Sequence, residues 1–337
     1  MSETTDTTAN AGGETAAPPR LAVAKTYKLF VGGAFPRSES GRVYEVTDGD
    51  GTARANAPLA TRKDARDAVS AARKAFGGWS GATAYNRGQV LYRVAEMLQG
   101  RTGEFAGLVA AAEGLSVGRA GELVEATVDR LVWYAGWTDK LGAVLGTVRP
   151  VGGGRLAVGL PEPYGVVAVA APSAGRGWSL LGAVTLLGAA LAAGNTVVLV
   201  AAERDPLPVL SLGEVLAVSD VPGGVVNVLS GRPADLLPTL AGHGDVEVLD
   251  LSGLGGLDRP GALGGPDGAG SAGVELVEAA AGSLKEVLLP PRRGAGPDGT
   301  ADAAADGTAA VDWTAEPALE RLAERLRLRS LWQSAGV

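Results

Sequence analysis

The side chains able to do chemistry in this chain are few: one histidine, His243, and no cysteine among 337 residues. A histidine two residues from Asp245, in a chain with many serines, is the raw material of a hydrolase base. Here it sits in the run Gly-His-Gly-Asp at 242–245, which reads as an exposed turn, and no nucleophile-elbow pattern precedes it. The missing thiol excludes disulfides, thiolate metal sites and a cysteine nucleophile within these residues. One histidine with scattered Asp and Glu assembles no transition-metal ligand set. The glycines of LSGLGG at 251–256 lack the G-x-G-x-x-G spacing, so this stretch reads as a loop rather than a phosphate cradle.

The elements that must position any site centre on residues 165–203. Residues 166–171 and 196–200 are Val, Ala and Leu without polar alternation, the pattern of strands buried on both faces. Between them Ser179 is placed to cap a helix running to Ala193, closed by Gly194-Asn195. Strand, helix and strand make a βαβ unit. Such units bind ligands at the carboxyl ends of their strands, which directs any site to residues 172–177 and 200–203.

On either side of this unit the chain alternates. Residues 27–31 and 42–47 read as strands around a Gly32-Gly33 turn. Thr61 opens a helix with Asp64 as its capping-box partner and an apolar stripe of Ala65, Ala68, Val69, Ala72 and Phe76, ending at Gly77-Gly78. Three further helical stripes follow by residue 137, with Met97, Trp133, Tyr134 and Trp137 as core packing, and residues 156–160 then read as a strand of an edge hairpin. Helices at 207–218, 234–241 and 274–281 alternate with strands at 225–229, 246–251 and 285–289. The fold class is therefore α/β: a doubly wound, Rossmann-like parallel sheet of about five strands, with an N-terminal helical layer and a C-terminal helix-strand tail. Residues 1–20 read as a disordered tail, 21–289 as the dinucleotide-binding-type domain and 290–312 as a flexible linker. In residues 313–337, Thr314 caps a helix with Pro317 in its first turn. Leu319, Leu322 and Leu326 line one face of it, and the extended LRSLW that follows predicts docking onto the chain's own sheet or a partner's.

A hydrophobic content of 46% is ample for a core, while a net charge of -7 and a pI near 5.0 argue against nucleic acid or an anionic membrane as a partner. The most apolar run, 180–193, is interrupted by Gly182 and Gly188 and is too short to span a bilayer. The first 20 residues have neither the basic start nor the apolar core of a signal peptide, so a cytoplasmic protein is expected.

Several stretches carry a family resemblance. EPYGVVAVAAP at 162–172, LAAGNTVVL at 191–199 and VPGGVVNVLSG at 221–231 resemble consecutive signatures of the NAD(P)-dependent aldehyde dehydrogenases. YAGW at 134–137 and the WS at 79–80 are similar to that family too, and the matches run in the family's order from about residue 26 to 289. The resemblance implies that the segment at 156–160 belongs to an arm used in subunit association. It implies cofactor contacts at Pro172, Glu203 and Gly253, with the Glu203 carboxylate accepting the ribose hydroxyls of an adenosine. Glu203 reads equally well as an acidic residue at a helix N-terminus.

Aldehyde oxidation of this type needs a thiolate, an oxyanion donor, a carboxylate base and a nicotinamide. This sequence departs from the pattern at each protein group. The oxyanion position falls on Ala174 or Gly177, and the segment expected to hold the base continues with Pro290-Pro291. The usual cofactor lysine is Val200, and Leu254 stands where a hydroxyl donor to pyrophosphate is expected, ahead of a Gly/Pro-rich insertion at 255–273. The chain resembles the degenerate second unit of the type-16 aldehyde dehydrogenases. That resemblance implies an inactive pseudoenzyme, an accessory or structural subunit partnered by a full-length aldehyde dehydrogenase or by itself as an oligomer. The expected cofactor is none, or weakly bound NAD(P). The alternative is an NAD(P)-binding oxidoreductase of that family with residual cofactor binding.

Overall fold

A computed structural model describes residues 23–48, 51–153, 155–172, 177–254, 272–290 and 311–334. The expectations for residues 1–20, for Ala174, for the insertion at 255–271 and for most of the linker lie outside them. A small sheet opens the fold: β1 (Lys25–Thr26), β2 (Val43–Thr47) and β3 (Ala53–Pro58), in the order β1-β3-β2. The expected strand at 27–31 is instead an irregular segment held by single bridges, Phe30 to Val228 and Val31 to Ala34. Its glycine turn is pressed against the main body. A Cβ on Gly33, whose φ is +80°, would stand 2.9 Å from the Gly223 Cα, so this approach requires glycine.

Four helices follow, α1 (Arg62–Gly81), α2 (Ala84–Gln99), α3 (Thr102–Glu113) and α4 (Val117–Trp137), and then the short α5 (Leu141–Leu145). Thr61 and Asp64 form the predicted capping box of α1. The helix does not stop at Gly77-Gly78 but continues through them to Gly81, because Trp79 is buried and anchors the last turn. Next come β4 (Thr147–Val151) and β5 (Arg155–Pro163), an antiparallel pair, and the central unit of β6 (Val166–Ala170), α6 (Ala183–Ala192) and β7 (Thr196–Val200). Both central strands and α6 are buried along their whole length, as apolar composition without an amphipathic face requires.

The alternation then runs α7 (Leu207–Ala217), β8 (Val226–Leu229), α8 (Pro233–Ala241), β9 (Val248–Asp250), α9 (Ala272–Ala281) and β10 (Glu286–Leu288). The five parallel strands lie in the order β10-β9-β6-β7-β8, with β6 at the centre. Helices α1 and α8 pack on one face of the sheet and α6 and α7 on the other, dividing the core in two.

The carboxyl-terminal segment closes the fold. Only α10 (Leu319–Ala323) is helical there, and Thr314 caps nothing: its N–H and hydroxyl both donate to Asp312, while α10 has no side-chain cap. Pro317 lies ahead of that helix rather than in its first turn. Trp313 and Leu322 are buried in the core beside α6, with Leu319 and Leu326 packed against it, so the leucine face docks on the chain itself. From there β11 (Leu326–Ser334) pairs antiparallel with all nine residues of β5. The order β11-β5-β4 makes β5 the middle strand, so the segment 156–160 is no sheet edge.

Candidate functional site

The carboxyl ends of the parallel strands are where a site belongs, and three structural facts define this one. The first concerns Pro172, buried just past β6. A Cβ on Gly182 would lie 2.9 Å from the Pro172 ring and 3.1 Å from Trp313, so proline, glycine and the tail tryptophan fill one volume. Trp313 is held there from both sides. Arg130 of α4 donates to the Trp313 carbonyl at 3.1 Å and the Ala315 carbonyl at 2.7 Å, and the Arg321 guanidinium lies 4.8 Å over the indole.

The second is the start of α6. Ser179 does not cap the helix from within. A π-turn, residues Trp178–Gly182, opens it after Gly177, whose φ is +75°. The cap comes from Glu113 at the end of α3, whose carboxylate accepts from the Gly177 N–H at 2.5 Å, the Ser179 N–H at 3.1 Å and the Ser179 hydroxyl at 2.5 Å. A carboxylate occupies the positive end of this helix, where an anion would otherwise sit. Nothing in the local sequence marks Glu113 for this role, since it lies 66 residues from Ser179.

The third is the end of β9. Gly253 packs backbone to backbone against Pro172: a Cβ there would lie 2.6 Å from the Ala170 carbonyl and 3.0 Å from the Pro172 nitrogen. Leu254 is 4% exposed and joins Ala170, Val200 and Leu276 in one core cluster. The two residues that replace polar cofactor contacts are thus core residues here.

Glu203 is the third residue implied by the resemblance. It lies in a bend after β7, half-buried, and among the described residues no hydrogen bond or ion pair joins it to Pro172 or Gly253. Its electrostatic neighbour is Tyr44 of β2, whose hydroxyl is buried without a partner; burial, then the nearby Glu203 and Asp205 carboxylates, push that phenol well above its usual range. Burial likewise raises Asp205, with Arg204 working against the shift. Pro172 and Gly253 are brought into contact, and Glu203 follows the neighbouring strand β7.

These residues do not fit a firmly held dinucleotide. Among the described residues, the pyrophosphate end that the resemblance implies offers a buried Leu254, and the polar group among the implied contacts is the Glu203 carboxylate. His243 lies before β9, at the opposite, amino edge of the sheet, where its Nδ1 accepts from the Asp245 N–H at 3.1 Å. Among the described residues no group of three or more His, Asp or Glu is placed to hold a metal, and no helix is long and apolar enough to cross a membrane.

The sequence pattern described as the aldehyde dehydrogenase family matches residues 35–254, about two thirds of the chain. The chain belongs to that family. It is 31% identical to the cytosolic 10-formyltetrahydrofolate dehydrogenase of Mus musculus over 243 residues, covering 69% of this chain and 26% of that protein. Its identity to the mitochondrial aldehyde dehydrogenase family 2 member B4 of Arabidopsis thaliana is 33%, covering 73% and 45%. Among solved structures, the NAD-dependent aldehyde dehydrogenase of Sinorhizobium meliloti superposes with a TM-score of 0.69 at 26% identity, covering 82% of this chain and 52% of that one. The chain therefore spans between about a quarter and about half the length of these relatives. Its α/β architecture is the Rossmann-like fold of the family.

Proposed function

We propose that this chain is a catalytically inactive aldehyde dehydrogenase-like protein that serves, in the cytoplasm, as an accessory or structural subunit of an active aldehyde dehydrogenase. The observation that carries this reading is the three-stranded sheet β11-β5-β4. It leaves Val148, Leu160 and Leu331 exposed on one face of the sheet and Leu328 and Trp332 exposed on the other, all between 41% and 67%. Apolar area of this kind on an otherwise acidic surface is characteristic of an interface. The chain contributes no thiol, and its cofactor-side positions are used for packing, so what it retains is fold and surface. The free edges of this sheet belong to β11 and β4, and partner pairing would use those rather than β5.

Two measurements test the reading. The purified chain with NAD or NADP should turn over no aldehyde, since covalent catalysis lacks its nucleophile; heat-labile activity that survives repurification overturns it. Co-expressed with a full-length aldehyde dehydrogenase of the same organism, the chain should co-elute at fixed stoichiometry, and Leu328→Asp with Trp332→Ser should weaken the complex. Removing residues 313–337 is not a usable control, because Trp313, Leu322 and Arg325 belong to the core. A monodisperse monomer with no dehydrogenase bound refutes the subunit role.

Residual NAD(P) binding is the second reading, favoured by the half-buried Glu203 carboxylate and by the relative named for its NAD dependence. A ligand at a hundred times its Kd stabilises a fold by about 2.7 kcal/mol. A rise of several degrees in Tm with millimolar NAD, abolished by Glu203→Ala, would favour this reading.

A further inference from the structure

A cleft of about 260 Å³ lies past the carboxyl end of the edge strand β8, where the first turns of α1 and α8 come together. Its walls include Ser40, Arg42, Thr61, Arg62, Arg232 and Asp235. Three arginines from three separate elements face one space. Arg42 precedes β2, Arg62 is the first residue of α1, and Arg232 is the N-cap residue of α8. Two helices begin at this cleft, one of 20 residues and one of 9; the positive end of α1 is already met by the Thr61 hydroxyl and the Asp64 carboxylate, so α8 is the one of the two that begins there without a side-chain cap. Helix α8 opens with Pro233, which has no N–H, and its Asp235 N–H donates to the Arg232 carbonyl at 3.0 Å, so what it brings is the positive end of its dipole rather than a set of free donors.

The charge balance is unusual for this protein. The chain carries a net charge of -7, and arginines such as Arg54, Arg73 and Arg101 lie in ion pairs. Among the described residues Arg42 and Arg62 form none. The one carboxylate lining the cleft, Asp235, approaches Arg232 at 4.0 Å with both side chains more than half exposed, a contact of little energetic weight. Glu39 stands at the rim, accepting from the Thr61 hydroxyl at 3.3 Å.

The floor of the cleft is rigid. The Ala60 N–H donates to the Ser230 carbonyl at 2.9 Å, the Ser230 hydroxyl to the Pro58 carbonyl at 2.7 Å, and the Leu59 N–H to the Arg42 carbonyl at 3.0 Å. Gly231, at φ +139°, lets the turn into α8 lie against Ala60, whose nitrogen would be 3.2 Å from a Cβ there.

We propose that this cleft binds a phosphate group, free or on a small phosphomonoester. Forked guanidinium donors match phosphate oxygens bidentately, and the dipole of α8 adds to them. The volume of about 260 Å³ accommodates a phosphate with a short carbon chain.

Calorimetric titration with inorganic phosphate and with glycerol 3-phosphate, at ionic strength held constant with chloride, tests this. Saturable one-site binding of either is expected. Tighter binding of glycerol 3-phosphate identifies a phosphomonoester, and equal binding identifies the phosphate group alone. The Arg62→Gln, Arg232→Gln double variant should lose affinity roughly tenfold or more, as loss of two charge-assisted contacts requires. Asp235→Asn should tighten binding by removing the competing carboxylate. Arg93→Gln with Arg119→Gln, an equal charge change elsewhere, should leave affinity unchanged, and thermal melts in chloride verify that each variant folds. No saturable binding by the wild type, or equal losses in the two double variants, overturns the proposal.

Discussion

Replacing Asp250 removes the counter-charge of a fully buried cation, Arg325. The Arg325 guanidinium and the Asp250 carboxylate form an ion pair with both side chains at 0% exposure. Arg325 makes a second pair with Glu324 at 3.0 Å, its Nε has no partner, and its carbonyl accepts from Asn195 at 2.9 Å. Asp250 is satisfied on its other side by the Ser252 N–H at 3.0 Å and hydroxyl at 2.5 Å. Asp250→Ala leaves a buried cation facing the sheet, and removing one partner of such a pair costs about 3–5 kcal/mol. A chain of this size loses about 2 °C in Tm per kcal/mol, so the melting point should fall by roughly 6–10 °C. Thermal and urea melts measure it, and limited proteolysis should show earlier cutting within residues 311–334. The double variant Asp250→Leu, Arg325→Met should recover most of the loss, because a well-packed apolar pair replaces a buried ion pair at little cost. A single-variant shift of under about 2 °C with the tail equally protected would refute the view that this pair fastens the tail.

Other expected outcomes follow from individual contacts. Glu113→Ala removes the side-chain cap at the start of α6 and should cost about 1–2 kcal/mol by urea denaturation. Gly188→Val puts a branched side chain where a Cβ alone already lies 2.5 Å from the Tyr134 ring, an overpacking loss of about 2–3 kcal/mol measured the same way. Burial raises the Asp205 carboxyl, so this group favours the folded state while protonated and loses that contribution as pH climbs above the ordinary carboxylate range. Asp205→Asn should therefore raise Tm at neutral pH, with the gain vanishing in acid below the unfolded carboxyl pKa of about 3.9.

Strand and helix types around the central unit were legible because burial on both faces leaves a period-free apolar run and a capping box leaves a spaced Thr and Asp. Residues 166–171 and 196–200 became β6 and β7, and Thr61 capped α1 as its spacing required. The segment at 27–31 misled because Tyr27, Leu29, Phe30 and Val31 have strand composition. Their burial comes from packing against other elements, and the backbone finds only single bridges. Thr314 misled in a similar way: a threonine ahead of a leucine stripe resembles a cap, but Asp312 two residues earlier accepts its N–H and hydroxyl and holds the chain in a turn.

What the sequence determines by itself is chemical inventory and periodicity: no thiol, one histidine in a turn, apolar residues at 200 and 254, and strands alternating with helices. These are local properties, set by which atoms are present and how they repeat. Which groups meet depends on chain segments far apart in sequence, and that only the tertiary structure decides. Glu113 caps a helix that begins more than 60 residues later, Arg325 finds Asp250 across 75 residues, and β11 pairs with β5 from far earlier in the chain. No propensity or spacing encodes those contacts, because each is selected by the burial and hydrogen bonding that the assembled core makes available.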